Sequence, residues 1–134
     1  MSDHAVVTVS EASRPSKALH ITLWIVQMLT AAVLVLAGGT KLAGADMQIA
    51  LFEQIGLGQW FRYVTGGLEV LGAILLLVPT TAAMGAALLA PTMVGAMVTH
   101  LFIIGGSPVP ALVLLLMTVA VAWYRWPGSI HGEK

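Results

Sequence analysis

Four apolar runs, residues 21–40, 63–79, 82–104 and 109–124, take up most of a 134-residue chain. A bilayer-spanning helix needs about 20 residues, so each run is long enough to cross. The second and fourth are a few residues short and are expected to extend by a turn into their flanks. Composition agrees: 58% of the residues are hydrophobic and only 9% charged, outside the balance of soluble domains. Four spans with their turns leave no space within these residues for a soluble catalytic domain.

The links decide the arrangement. Thr80 and Thr81 alone join the second run to the third, and residues 105–108 join the third to the fourth. Short links make neighbours antiparallel, so the expected fold is all-α: an integral membrane four-helix bundle running up-down-up-down. The longest link, residues 42–62, holds a short amphipathic helix between helices 1 and 2, over residues 47–55 at the membrane interface. Asp46 is its expected N-cap and Gly56 its C-cap, with Ile49, Phe52 and Ile55 facing lipid or the bundle mouth. Residues 1–18 read as a polar tail, 19–126 as the transmembrane domain and 127–134 as a second short tail. Arg14 and Lys17 ahead of an apolar run imitate a secretory signal, but the run is too long and Lys41 intervenes, so it reads as a retained helix.

An even number of spans puts both termini on one side. Arg14, Lys17, Arg125 and Lys134 lie there against Lys41 and Arg62 opposite, which by the positive-inside rule makes the termini cytoplasmic. Trp123, Tyr124 and Trp126 mark an inner aromatic belt, with Trp24 near the same end, and Trp60, Phe61 and Tyr63 mark an outer one. Pro91 is expected to kink the third span.

Charge and cysteine content remove several function classes. The net charge is zero and the six basic residues are scattered, so neither nucleic acid nor a polybasic lipid contact is expected. With no cysteine, thiolate catalysis and Cys-ligated iron–sulfur clusters are excluded on this chain, and redox electrons must be carried by something bound. His20 and His100 belong at opposite faces and no helix carries a Glu-x-x-His pattern, so no metal or haem is expected. No glycine-rich motif follows a strand, so no nucleotide is expected. Met84, Met93 and Met97 read as packing residues before a metal track.

Glu69 is the charge that needs an explanation, since a carboxylate at the centre of a span costs about 2.5–3.5 kcal/mol on insertion scales. Its helical neighbours Thr65, Gly66, Gly72 and Ala73 are small, and small faces are where membrane helices meet, so Glu69 points into the bundle. In the first span, Gln27, Thr30, Ala31, Leu34, Gly38 and Lys41 form one partly polar stripe that faces it. Alternating directions bring Lys41, Arg62, Glu69 and His100 to one level, with Met97 and Met93 beneath His100. Arg62 is about 10 Å of helix rise from Glu69, too far for direct contact, which leaves Lys41, His100 and Gln27 as partners. Such a group serves as a proton relay or general acid; the bland alternative is a polar knot that fixes helix register.

The order and spacing of these residues resemble the DoxX/DoxD-like family. The resemblance is carried by Trp24, Gln27, Ala31, Gly38 and Lys41-Leu42, by Phe52, Gly56 and Trp60, by Gly66, Glu69, Gly72 and Leu76-Leu77, and by Gly95-Ala96 and His100. It implies a small multi-pass protein of the bacterial inner membrane associated with quinone-linked oxidation, thiosulfate:quinone oxidoreductase being the named case. On that basis the expected function is an oxidoreductase subunit that holds a quinone or another lipophilic small molecule between its helices. Glu69 and His100 are the expected catalytic residues, and Gln27, Lys41, Arg62, Thr65 and Met97 the expected binding residues. The expected partners are the lipid bilayer and another oxidoreductase subunit, and a homo-oligomer is compatible with the sequence. A non-enzymatic accessory or assembly subunit is the alternative. A proton-coupled small multidrug-type exporter ranks last, because its essential Glu belongs in the first span and none is there.

Overall fold

The structure is a computed structural model that describes residues 16–126. Arg14, Lys134 and most of both tails lie outside the described residues. The described residues are all-α: α1 (Lys17–Ala43), α2 (Asp46–Ile55), α3 (Gln59–Leu77), α4 (Ala82–Thr99), a π-helical turn (His100–Ile104) and α5 (Val109–Arg125). Lys17–Ala43, Gln59–Leu77 and the continuous stretch Ala82–Ile104 are long and apolar enough to cross a membrane, and Val109–Arg125 is apolar but shorter.

Local chemistry sets the helix ends. The Ser16 hydroxyl accepts from the Leu19 amide at 3.1 Å and caps α1, which therefore starts two residues inside the expected tail. At the other end of α1, Gly44 takes φ 72°, a left-handed conformation that closes the helix and turns the chain directly into α2. That immediate turn corrects one expectation: the N-cap of α2 is Ala45, with no side-chain cap bond, and Asp46 is the first helical residue. There its carboxylate faces the positive end of the helix dipole. Gly56, at φ 84°, ends α2 as expected. The second span does extend, by four residues, to Gln59, whereas the fourth gains only Arg125. Trp126 is held extended, as a residue ahead of a proline favours, and Pro127 follows it in the chain.

Helix packing follows the small residues. α1 lies against α3, α3 against α4, α4 against α5 and α5 against α1. The buried face of α1 is Gln27, Thr30, Ala31, Leu34 and Gly38, the stripe read from the sequence without Lys41, which is half-buried. A Cβ on Gly38 would stand 2.7 Å from the Gly66 carbonyl oxygen, and one on Gly85 2.7 Å from that of Gly72. Backbone approaches that close admit no side chain, as at small-residue crossings of membrane helices. Leu34, Leu76, Leu89 and Val121 fill the core between them.

These crossings give a direct test. Gly38→Ala and Gly85→Ala should each destabilise by about 1–3 kcal/mol, because at both positions the new methyl runs into a backbone carbonyl oxygen that a side-chain shift cannot clear. Gly67→Ala, where a Cβ meets nothing within 4 Å, should be neutral or slightly stabilising. Thermal unfolding in detergent checks it, and equal effects at all three positions would contradict the crossing geometry.

α4 continues through Pro91 as one helix, and about two and a half turns beyond it the chain leaves α geometry in the π turn at His100–Ile104. π turns concentrate at functional positions. This one ends at Gly105, φ 74°, whose carbonyl accepts from the Nδ1–H of His100 at 3.0 Å.

Candidate functional site

α3 and α4 touch near Gly72, Gly85 and Leu89 and leave a cavity of about 500 Å³ farther along, toward the α2 end. Ligand pockets fall between about 300 and 1,000 Å³, so the size suits a small organic molecule. α2 forms the roof, through Gln48, Leu51, Phe52 and Ile55 at helical spacing. It is fixed to α3 by the edge-on contact of Phe52 with Phe61, ring centroids 5.9 Å apart, and by the Gln59 side-chain amide donating to the Ile49 carbonyl at 3.1 Å. Of the three α2 residues expected to face the bundle mouth, Phe52 and Ile55 line the cavity and Ile49 does not. Phe61, expected in the outer belt, is also a wall residue, while Trp60 and Tyr63 are exposed beside it.

The polar wall is built from three spans. Lys41 of α1 donates from Nζ to Oε2 of Glu69 at 3.1 Å, and the two are 14% and 5% exposed in their side chains. Arg62 lies behind this pair. It is buried, donates from Nη1 to the Lys41 carbonyl and from Nε to the Gln59 side chain at 2.7 Å, and stacks on the Tyr63 ring at 4.3 Å. A guanidinium on the Lys41 carbonyl, in the last turn of α1, complements the negative end of that helix and holds Lys41 in place. His100 lines the opposite wall from the start of the π turn. Because a carbonyl only accepts, the Nδ1 of His100 that meets Gly105 carries a hydrogen, which leaves Nε2 as the ring nitrogen for any other partner.

The cavity is rich in acceptors. The hydroxyls of Thr65, Thr92 and Thr99 each donate back to their own helix, to Phe61, Leu88 and Gly95 carbonyls at 2.7, 3.1 and 2.8 Å, so only lone pairs face outward. Oε1 of Gln48 is buried with no partner among the described residues. A ligand that donates hydrogen bonds, such as a hydroxylated ring, matches this wall, and the Lys41 ammonium adds the one strong donor.

Of the residues expected at the site, Lys41, Thr65, Glu69 and His100 line this cavity. Glu69 meets Lys41 as expected, whereas His100 shares the cavity while bonding to Gly105. Gln27 does not reach Glu69. It is fully buried at the far end of the bundle, where its amide donates to the Leu76 carbonyl at 2.8 Å and accepts from Nε of Arg125 at 3.0 Å. Arg125 also stands 5.6 Å from the Trp24 ring, which places Trp24 at the expected end. Arg62 supports the site from outside the cavity, and Met97 is turned off the lining face of α4. Gln48, Thr92 and Thr99 are lining residues that the sequence reading did not single out. Gln48 was detectable, because it recurs at helical spacing with Leu51, Phe52 and Ile55.

No curated protein and no solved structure matches the chain significantly. A family model does match: that of the DoxX-like family, over residues 25–123. These residues run from the third turn of α1 to the last of α5, and take in the whole cavity and the Lys41–Glu69 pair. With several apolar helices of spanning length and this match, the chain is a multi-pass membrane protein that belongs to the DoxX-like family.

Proposed function

We propose that the protein is a subunit of a quinone-linked membrane oxidoreductase, with the cavity as its site for a quinone or a related lipophilic molecule. The observation that carries this reading is the cavity itself: apolar walls between spanning helices, with a carboxylate, an ammonium and an imidazole among its lining side chains. A quinone, when bound, supplies two-electron chemistry coupled to protons. Glu69 and His100 are the groups that hold and pass those protons, Glu69 through its carboxylate and His100 at Nε2. Lys41 orients Glu69, and Arg62 orients Lys41. The electrons come from a partner subunit, since the chain has no cysteine with which to hold a cluster.

In this reading α1, α3, α4 with its π turn, and α5 form the four spans of an up-down-up-down bundle in a bacterial inner membrane. The contacts support it: Gln27 meets Leu76 while Gly38 meets Gly66, so α1 and α3 run in opposite directions. Both termini are cytoplasmic and α2 lies at the outer surface. A reporter fused after Lys134 should therefore behave as cytoplasmic, and one inserted at Gly106 as external; the reverse pattern would invert the topology.

One observation favours an accessory subunit instead. The Lys41–Glu69 pair, braced by Arg62, has the form of a register lock between α1 and α3. Organic-solvent extraction of the purified protein, followed by chromatography of the extract, tests the leading reading directly. Stoichiometric quinone supports it, and a protein that neither carries nor takes up quinone leaves the accessory role.

A further inference from the structure

The burial pattern around the cavity is one-sided. Its polar wall residues, among them Lys41, Gln48, Glu69 and His100, are all buried or half-buried, while the exposed wall residues are Leu57, Pro91, Gly95 and Ile103, every one apolar. A mouth onto water is expected to carry polar groups at its rim, and this rim carries none. Three of the four lie along α4 and the π turn, over about 18 Å of helix, more than half the hydrocarbon thickness of a bilayer. Gly95 leaves a gap in that edge, because a Cβ there would meet nothing within 4 Å. Toward the Gly72 and Leu89 contact the helices close again, so the opening is a bounded slit.

We infer that this slit is a lateral portal onto the bilayer, through which the cavity takes a polar-headed molecule whose hydrocarbon chain rests over Pro91 and Gly95. The inference deepens the proposed binding role, and it rests on that role for the nature of the head. The head lies among Lys41, Glu69 and His100, and the chain leaves sideways into lipid without passing the aqueous surface. Gly95 then sets specificity: its missing side chain is the seat of the first carbons of the chain. Pro91, one helical turn earlier, continues the same edge as a smooth apolar surface.

Two measurements test this on the full chain. The protein contains no cysteine, so Ala96→Cys gives a single site for a nitroxide label inside the cavity. In reconstituted bilayers the label should collide with oxygen, which concentrates in lipid, and be shielded from a water-soluble nickel chelate; preferential collision with the chelate would overturn the portal. The second measurement compares binding of decylubiquinone with binding of the same ring carrying methyl in place of the decyl chain. Gly95→Phe should weaken the chain-bearing probe at least about tenfold, as overpacking of its seat requires, and leave the methyl probe within about twofold. Equal weakening of both probes, or of neither, would remove Gly95 as a chain seat. A lipid-accessible label together with no binding of either probe by the parent protein would uphold the portal and reject the quinone reading.

Discussion

Lys41→Met is expected to lower the stability of the detergent-solubilised protein by about 3–5 kcal/mol, and adding Glu69→Leu should return most of that loss. The asymmetry comes from desolvation. Glu69 is 4% exposed, and its Oε2 is held 3.1 Å from the Lys41 ammonium. Removing the cation leaves a carboxylate with neither water nor counter-charge, whereas removing both leaves two apolar side chains in an apolar crossing. Glu69→Leu alone should cost less than Lys41→Met, because Lys41 sits in the last turn of α1 and its long stem can carry the ammonium toward the interface. Chemical unfolding followed by helicity gives the numbers, and a Lys41→Met protein as stable as the parent would mean that Glu69 is not buried as described.

The second large effect separates chemistry from architecture at one position. Glu69→Gln keeps the shape of the side chain and can still hydrogen-bond Lys41 through its carbonyl oxygen, but it has no proton to give. If Glu69 relays protons, Glu69→Gln should cut quinone-linked turnover by about 100-fold or more while assembly and bound quinone persist. If the pair is only a register lock, Glu69→Gln should retain full turnover and Glu69→Leu should act through assembly alone. Measured side by side in membranes from the same host, the two variants leave no overlap between the readings.

The sequence exposed the parts of this molecule that are governed by period and by sterics. The buried stripe of α1 from Gln27 to Gly38 and the small face around Glu69 were both readable, since each depends only on helical spacing and residue size. The Lys41–Glu69 contact was readable as one of three, with His100 and Gln27, because a charge in a span restricts its own partners. What stayed hidden depends on rotation and on local backbone geometry. Two of the three α2 residues expected to face inward, Phe52 and Ile55, do line the cavity, but the face is centred toward Gln48 and Leu51 and leaves Ile49 out, a rotation that helical spacing alone does not fix. Gln27 sits on the same stripe as Lys41, yet it lies fourteen residues, or about 21 Å of helix rise, away from it, and composition alone does not say which part of a stripe reaches a given partner. The π turn at His100 has no signal of its own in an apolar run, and it is what sets the ring against Gly105.

The Gln27 bond to Arg125 has a consequence in time. The two residues are 98 positions apart, joining the first spanning helix to the last turn of α5. During synthesis α1 enters the bilayer long before residue 125 leaves the ribosome, so half of a buried amide waits for a donor that does not yet exist. An incomplete chain would present that unpaired oxygen, and a quality-control protease that recognises polar groups inside membranes would find it there. Arrival of Arg125 hides it, which makes this bond a signature of completed insertion and predicts faster turnover in cells for chains that stop before α5 than for the full protein.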